Sequence, residues 1–277
     1  MIETSVIIPT FNRLAFLKQA IHSVLTQSYK AFELLIVDDG STDSTSQFIR
    51  AQNAAITYLH QPNQGPGAAR NLGIRRSQGE FISFLDSDDL WRPGKLQAQI
   101  DFMHQNPFAL VCYTDEIWIR NGKRVNPRKK HGKHSGWIFE KCLPLCIVSP
   151  SSVLMRRGFF DHVGFFNESL RACEDYDLWL RASLHFPFHF LQEKLIVKRG
   201  GHGDQLSAQW GLDRYRVQAL QNLLTDPALP KGKRRAVQQE IVKRCEILEL
   251  GFRKRGKIRE ADGYALLARE ATARQQG

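Results

Sequence analysis

The segment FLDSDDLW, residues 84–91, joins an apolar pair to three carboxylates within four positions. Like charges this close repel one another, and removing them from water costs still more. Water, the amides at a helix N-terminus or a divalent cation could offset that cost. Because the segment overlaps the end of a strand predicted over residues 81–85, we expect the carboxylates at the carboxyl end of that strand.

The first hundred residues alternate apolar runs with amphipathic segments. Strands are predicted over 5–8, 32–37, 56–59 and 81–85. Three helices are predicted between them: one over about 14–27, a short one that ends near residue 52, and one that begins at about residue 65. This alternation predicts a parallel sheet covered by helices on both faces. Polar clusters follow the first, second and fourth strands, namely PTFNR (9–13), DDGS (38–41) and DSDD (86–89). Ligands bind outside the carboxyl ends of such strands, so we predict a site there.

The pattern changes after residue 100. A hairpin is predicted over 116–125 with its turn at Asn121-Gly122, followed by the basic loop RVNPRKKHGKH (124–134). Further strands are predicted over 149–157 and 188–197, with a helix over 174–183 between them. From about 209 onward the sequence predicts helices, broken at DPALPKGK (226–233), with a helical hairpin over 247–269.

The composition is that of a soluble globular protein, with 42% hydrophobic and 24% charged residues among 277. No apolar run reaches the length of a membrane span. Met1 leads directly into a strand-like segment, so no signal peptide is expected. The five cysteines are scattered and odd in number, which favours a reducing cytosol over a disulfide framework. Cys142 and Cys146 are four apart, but no second Cys or His pair lies at zinc-site spacing.

The net charge of +11 is unevenly distributed. Residues 1–100 contain nine basic and nine acidic residues, so the excess lies in the last two thirds. Such an excess suits nucleic acid, anionic lipid headgroups or phosphorylated substrates. The neutral first hundred residues, and basic residues without interleaved aromatics, argue against nucleic acid as a partner. Two basic groups near the end either contact an anionic membrane or form solvated helix faces: Lys231, Lys233, Arg234 and Arg235, then Arg253, Lys254 and Arg255.

Five segments, in this order and spacing, resemble the inverting family 2 glycosyltransferases of the GT-A fold. They are SVIIPTFNR (5–13), LLIVDDGSTD (34–43), NQGPGAARNLG (63–73), FLDSDD (84–89) and CEDYDLWLR (173–181). The resemblance covers about residues 4–205. It implies an α/β fold, a Rossmann-like, mostly parallel mixed sheet flanked by helices, with a catalytic domain over 1–205. Residues 206–277 would then be a basic helical C-terminal extension outside the shared pattern.

The resemblance also implies an activity. A sugar would move with inversion from a nucleotide-diphosphate sugar, with UDP favoured, to a hydroxyl of a saccharide or lipid-linked glycan. By family analogy alone, this would serve surface polysaccharide biosynthesis in the cytoplasm, at the inner face of the membrane if the basic helices bind lipid.

DSDD is similar to the family's metal-binding D-x-D motif. The resemblance implies that Asp88, with Asp86 or Asp89, holds Mn²⁺ or Mg²⁺ against the donor diphosphate, with Ser87 in the donor site. A hard cation held by carboxylate oxygens neutralises the charge that develops on the leaving group. The alternative is an acidic turn before the next helix. His202, in GGHGDQLS (200–207), either completes the metal or diphosphate site or is structural.

The donor contacts implied by the resemblance lie in three loops. Asp39 would accept a hydrogen bond from the uracil ring, and Phe11 would stack on the base. Arg70, near a helix start that attracts phosphate, would reach the diphosphate or instead form a surface ion pair. The remaining implied donor contacts are Pro9, Thr10, Arg13 and Asp38. For Asp38 and Asp39 the alternative is Asx-turn chemistry ahead of Gly40.

CEDYDLWLR is similar to the family's E-D motif. Inverting transfer is a single displacement in which one carboxylate takes the proton of the acceptor hydroxyl. The resemblance implies Asp175 as that base, with Glu174 as the alternate and a role in holding the acceptor. Asp177 is expected to cap the helix or to pair with Arg181. The alternative is an acidic helix N-terminus favoured by the helix dipole.

The acceptor side is less defined. Residues 149–157 are expected on the acceptor face, and Trp137 and Trp179 either stack on a sugar or pack in the core. For the loop 124–134 three alternatives are open: it contacts an anionic acceptor, it contacts a membrane surface, or it is a solvated loop without a partner. Two rival functions are an aspartyl phosphoryl-transfer enzyme and a non-catalytic binder of nucleic acid or lipid. The first would need its D-x-D after the first strand, followed two residues later by Thr or Val, where this chain has Leu90.

Overall fold

The computed structural model describes residues 2–52, 56–203, 205–206 and 209–274. Its first part alternates strands and helices as predicted. The elements are β1 (Thr4–Thr10), α1 (Leu14–Leu25), β2 (Phe32–Asp38), α2 (Thr45–Arg50), β3 (Ile56–His60), α3 (Pro66–Arg76) and β4 (Phe81–Phe84). β1 and β4 are buried along their whole length, which explains why both read as continuous apolar runs.

The second part adds both parallel and antiparallel strands, with further helices. It comprises β5 (Leu90–Trp91), α4 (Lys95–Gln105), β6 (Val111–Arg120), β7 (Lys123–Val125), α5 (Phe139–Cys142), β8 (Val153–Arg156), α6 (Phe159–Val163), α7 (Glu174–His185) and β9 (His189–Gly200). The predicted hairpin is present as β6 and β7. Asn121 and Gly122 both have positive φ, 49° and 73°, as a tight two-residue hairpin turn requires.

These strands form one sheet in the order β3-β2-β1-β4-β8-β6-β9-β5, with β7 beside β6. The strands β3, β2, β1 and β4 are parallel, as predicted. β8 is antiparallel to both of its neighbours, so the sheet as a whole is mixed. The predicted class, a mixed α/β sheet flanked by helices, is therefore confirmed.

Close approach of α3 to the sheet depends on one glycine. A Cβ on Gly73 would lie 2.5 Å from the Cγ2 atom of Ile7 in β1, closer than real Cβ contacts allow. The absent side chain lets α3 rest directly on β1. This contact fixes the N-terminal end of α3 beside the carboxyl ends of β1 and β2, where the polar clusters lie.

Two predicted strands differ from the structure in extent. The strand predicted over 149–157 is only β8, because Pro150–Ser152 form a 3-10 turn in front of it. The strand predicted over 188–197 continues to Gly200. Trp179 is 1% exposed and its ring packs against Phe159 and Phe188, so the sugar-stacking alternative for Trp179 is wrong.

The C-terminal region is helical, as predicted. It contains α8 (Asp213–Thr225), α9 (Lys231–Arg253) and α10 (Ile258–Ala273). The hairpin predicted over 247–269 is the α9–α10 pair, although α9 begins much earlier. Buried side chains of α8 and α9, such as Leu220 and Ile241, belong to the same apolar core as Ile7 of the sheet. Among the described residues, every helix is too short or too polar to cross a membrane.

Candidate active site

A cavity of about 1570 Å³ lies along the carboxyl ends of the parallel strands. Its walls come from the loops after β1, β2 and β4, the start of α3, the start of α7 and the β6–β7 hairpin. The structure thus brings the three predicted polar clusters together in one cavity. Most of the predicted site residues line it: Pro9, Thr10, Phe11, Arg13, Asp39, Arg70, Asp86, Ser87, Asp88, Asp89, Glu174 and Asp175.

The loop after β1 provides one end of the cavity. Phe11 is 44% exposed, an unusual position for a phenylalanine and a suitable one for stacking on a planar ring. Asn12, with a positive φ of 52°, accepts a hydrogen bond from the Thr42 amide at 2.7 Å. This bond joins the loops that follow β1 and β2. Thr10 is buried at the same end.

Asp39 holds the turn after β2 against the start of α3. Its Oδ1 atom accepts hydrogen bonds from Gln61 Nε2 at 2.7 Å and from the Gln64 amide at 2.9 Å. Its Oδ2 atom accepts one from the Gly65 amide at 2.8 Å. A carboxylate has about four acceptor positions, so about one remains on Asp39 after these three hydrogen bonds.

Asp38 has a different place. It is fully buried, is not among the residues that line the cavity, and uses both carboxylate oxygens within the protein. Oδ1 accepts from the Ser41 amide at 2.8 Å and Oδ2 from the Tyr58 hydroxyl at 2.7 Å. The turn-forming alternative therefore describes Asp38, and its side chain shapes the loop from beneath.

Arg70 connects two of the predicted motifs. It is 4% exposed, and its guanidinium lies 2.6 Å from Asp86 Oδ1 and 2.5 Å from Glu174 Oε1. The surface-pair alternative is therefore wrong. Burial works against the charge of Arg70, but Asp86 and Glu174 hold its pKa above the ordinary value. The D-x-D segment and the start of α7 are thus fixed to each other through one buried cation.

The three aspartates of DSDD have three environments. Asp88 Oδ2 lies 3.0 Å from Arg13 Nη1 and 3.0 Å from His202 Nε2. Asp89 is 2% exposed, and its oxygens accept hydrogen bonds from the Ser151 hydroxyl at 2.8 Å and the Arg199 amide at 3.0 Å. The side chain of Asp86 is 28% exposed, the most accessible of the three.

Burial raises the pKa of Asp88, and the neighbouring charge of Asp86 raises it further. The pKa of Asp89 is raised well above its ordinary value for the same reasons, with Asp88 as the nearer charge. A positive charge placed between Asp86 and Asp88 would relieve this repulsion. The crowding noted in the sequence is thus present in the folded chain.

The donor set fits a divalent cation held jointly with a ligand. No three His, Cys, Asp or Glu side chains within the described residues are grouped as a complete metal site. His202 nevertheless contacts Asp88 directly, at 3.0 Å, and the charge of Asp86 is near enough to raise the pKa of Asp88. Mg²⁺ and similar hard cations are commonly bound by one or two carboxylates, with substrate phosphates completing the shell.

The start of α7 presents the two predicted catalytic carboxylates. Cys173, in a left-handed conformation with φ of 62°, precedes the helix. Glu174 is 5% exposed and points to Arg70; burial raises its pKa, while Arg70 opposes that rise. Asp175 lines the cavity and accepts a hydrogen bond from the Cys146 thiol at 3.3 Å. Burial raises the pKa of Cys146, so the thiol is the donor in this contact.

Other expectations for this region are also resolved. Asp177 accepts hydrogen bonds from the Arg181 guanidinium at 2.8 and 3.0 Å, which confirms the predicted pair. Trp137 is 60% exposed and does not line the cavity. Ser149 and Pro150 of the predicted acceptor segment do line it.

Sequence reasoning missed a second charged group in the cavity wall. Glu116 on β6 is 4% exposed and lies 3.2 Å from Lys133 Nζ. Burial disfavours its charge, but Lys198 and Lys133 hold the pKa of Glu116 below the ordinary value. Burial likewise acts against Lys198, whose pKa is raised by Glu116, Asp89 and Asp86. The only signal was the alternation of side chains along β6 and β9.

The sequence and fold of this chain are similar to those of known proteins. The family model described as Glycosyl transferase family 2 matches residues 5–164. An uncharacterized glycosyltransferase of Rickettsia bellii is 37% identical over 183 residues, 65% of this chain and 26% of the relative. TuaG of Bacillus subtilis, a glycosyltransferase named for teichuronic acid biosynthesis, is 39% identical over 181 residues, 64% of this chain and 70% of TuaG. The chain spans only 26% to 30% of the length of the first three Rickettsia relatives.

Solved structures share the fold at low identity. Staphylococcus aureus TarS 1-349 in complex with UDP-GlcNAc has a TM-score of 0.69 at 17% identity, covering 97% of this chain and 92% of TarS. The mannosyltransferase PcManGT of Pyrobaculum calidifontis, in complex with GDP-Man and Mn²⁺, has a TM-score of 0.63 at 16% identity, covering 98% of this chain and 77% of PcManGT. The fold of this chain is therefore the GT-A fold.

Proposed function

Because this chain belongs to glycosyl transferase family 2, we propose that it transfers a sugar from a nucleotide-diphosphate sugar to an acceptor hydroxyl, with inversion and with a divalent cation. The observation that carries the proposal is the linkage through Arg70. The buried guanidinium of Arg70 lies 2.6 Å from the D-x-D aspartate Asp86 and 2.5 Å from the E-D glutamate Glu174. Both motifs therefore face one cavity in a fixed relation.

Mn²⁺ or Mg²⁺ would be held by Asp86 and Asp88, with His202 as a further ligand. The cation would supply charge neutralisation of the leaving nucleoside diphosphate. Asp89, whose oxygens already accept bonds from Ser151 and Arg199, would support the metal site from below rather than ligate. Arg13 and Arg70 would then attract the remaining phosphate charge through charge-assisted hydrogen bonds.

Asp175 would take the proton from the acceptor hydroxyl. It is the carboxylate at the start of α7 that has no cation partner among the described residues, whereas Glu174 is engaged with Arg70. A base must be free to receive a proton, and ion pairing opposes that. Glu174 would orient Arg70 and the acceptor. The thiol of Cys146 would hold the carboxylate of Asp175 in place.

We propose UDP as the nucleotide of the donor. The acceptor position left on Asp39 and the exposed ring of Phe11 support a planar base with a ring N–H at that end of the cavity. Pro9, Thr10 and Ser87 would shape the same donor site. TarS was solved with UDP-GlcNAc and PcManGT with GDP-Man, and both ligands are nucleotide-diphosphate sugars.

The acceptor proposed is a saccharide or a lipid-linked glycan in surface polysaccharide biosynthesis, which the name of TuaG supports. The protein would act in the cytoplasm, with residues 1–205 as the catalytic domain. The basic groups of α9 and of the α9–α10 turn would give the extension over 206–277 peripheral contact with anionic membrane. The phosphoryl-transfer rival is disfavoured, because the D-x-D follows β4 rather than β1.

The test is a nucleotide-release assay with UDP-, GDP-, dTDP- and CDP-sugars, each with Mn²⁺ and with chelator, on wild type and Asp175→Asn. We expect one nucleotide class to turn over only with metal, and the variant to lose at least about a hundredfold in turnover while still binding nucleotide. Asp161→Asn, an exposed aspartate outside the cavity, is the matched control. Near-normal turnover of Asp175→Asn removes that residue from the role of base.

A further inference from the structure

The cavity has a set of exposed basic residues in its lining. We define the basic rim as Arg120, Arg128, Lys130 and Arg171, four exposed residues that all line the cavity. Arg120 ends β6, and Arg128 and Lys130 belong to the loop 124–134 after the hairpin. Arg171 precedes α7. Three separate segments of the chain thus bring positive charge to one opening.

The ion pairs inside the cavity do not involve this rim. The carboxylates of Asp88, Asp86, Glu174 and Glu116 each have a cation partner within 3.2 Å, and none of those partners is a rim residue. In turn, no rim residue forms an ion pair with any described part of the chain. The rim charges are therefore without an ion-pair partner in the described chain, and they are separate from the cations that the proposed donor site uses.

The loop that carries half of the rim is anchored rather than free. The Lys133 ammonium donates to the Ile147 carbonyl at 2.6 Å, and the Tyr113 hydroxyl donates to the His134 carbonyl at 2.6 Å. The rings of Trp118 and His131 lie 4.8 Å apart, edge to face. These contacts tie the loop to β6 and hold Arg128 and Lys130 at the cavity mouth.

The loop that carries Arg128 and Lys130 is connected to the segment beside the proposed base. Ile147, which holds Lys133, follows directly on Cys146, whose thiol contacts Asp175. In the sheet, Arg120 pairs with Gly200 of β9, two residues before His202, whereas Arg128 and Lys130 belong to the loop whose Lys133 donates to Ile147. A group bound by Arg128 and Lys130 would therefore lie on the side from which an acceptor hydroxyl reaches Asp175.

We propose that the acceptor of this enzyme is anionic, carrying a phosphate or a carboxylate close to the hydroxyl that receives the sugar. This inference rests on the proposed function and adds the chemical class of its acceptor. The rim would bind the anion through charge-assisted hydrogen bonds to Arg128 and Lys130. Arginine suits both groups, because its planar fork matches carboxylate and phosphate geometry. A neutral glycan would leave the rim charges unmatched.

The test is binding to a glycan array that contains neutral, uronate-containing and phosphate-bearing oligosaccharides, with UDP and Mn²⁺ present. Wild type is compared with Arg128→Gln/Lys130→Gln. The matched control is Lys257→Gln/Arg259→Gln, which removes two exposed charges outside the cavity. We expect wild type and control to retain anionic glycans selectively. The rim variant should bind anionic glycans with an affinity at least about tenfold lower, since hydrogen bonds to charged groups are stronger than those between neutral groups.

The uronate and phosphate arms of the array identify which anion is recognised. Absence of selective retention of anionic glycans by wild type, or equal retention by the rim variant, overturns the proposal. A rim variant that loses binding to vesicles of phosphatidylcholine and phosphatidylglycerol, while keeping glycan retention, assigns the rim to a membrane and also overturns it.

A thermal-shift measurement with UDP and Mn²⁺ separates this inference from the proposed function. We expect the rim variant to keep the nucleotide shift of wild type, because no rim residue belongs to the proposed donor site. A nucleotide shift in wild type without anionic selectivity refutes the acceptor inference alone. Loss of the nucleotide shift in the rim variant also refutes it, because the rim would then serve the donor.

Discussion

Replacing Arg70 with methionine should destabilise the protein through Glu174. Methionine keeps much of the volume of the arginine stem but removes the charge that lies 2.5 Å from Glu174 and 2.6 Å from Asp86. The side chain of Glu174 is only 7% exposed, so it would become a buried carboxylate without its partner. Breaking a buried pair in this way costs about 3–5 kcal/mol. Asp86, at 28% exposed, should contribute less because water reaches it.

The assay is a double-mutant cycle in urea, followed by tryptophan fluorescence. If Glu174 carries the penalty, Arg70→Met should cost about 2 kcal/mol less in a Glu174→Gln background than in wild type. Arg75→Met is the matched control. Its ion pair with Glu168 spans 3.5 Å with both side chains nearly half exposed, and should contribute about 1 kcal/mol or less. A loss below about 1 kcal/mol for Arg70→Met, or no coupling to Glu174, refutes the reasoning.

Three further predictions follow from individual positions. Gly73→Ala should lower the free energy of unfolding by about 1–3 kcal/mol, because its new Cβ would lie 2.5 Å from the side chain of Ile7. The control is Gly263→Ala in α10, whose Cβ would meet nothing within 4 Å; it should be stabilising in the same urea denaturation assay. Glu116→Gln should lower the free energy of unfolding above about pH 4.5, the ordinary pKa of a glutamate, because the folded chain favours the charged form. The difference in stability between wild type and variant should shrink as the pH falls through the lowered pKa of the folded state, as urea denaturation at a series of pH values can show. A deficit that grew toward acid would contradict this sign. Phe11→Ala should weaken nucleotide binding about tenfold or more in calorimetry, whereas Phe108→Ala, 97% exposed and outside the cavity, should not.

The sequence predicted the first half of the fold because its signals were local. Strand, helix and turn residues alternate in 4–84 with buried runs that read as strands, and the polar clusters fall where those strands end. The second half was less readable, since β8 and β9 pair with strands far along the chain. Pro150, which begins a 3-10 turn, also shortened a strand that looked continuous.

The candidate site was predictable as a set of segments but not as a set of contacts. The motifs placed Asp86, Arg70 and Glu174 in the same region, yet nothing local showed that one guanidinium joins the two carboxylates. Glu116 and Lys198 escaped notice because a charged residue in a strand looks like a solvent-facing one. Only the tertiary fold turns both side chains into the cavity, where neighbouring opposite charges outweigh burial and shift their pKa values.

The most direct test of the account is a calorimetric titration of UDP into wild type and Asp88→Asn, each with Mn²⁺ and with chelator. We predict that wild type binds UDP only with the metal, and that Asp88→Asn loses this requirement together with most of the affinity. UDP binding that is equally strong without metal and in Asp88→Asn, or no binding of UDP in any condition, would contradict the account.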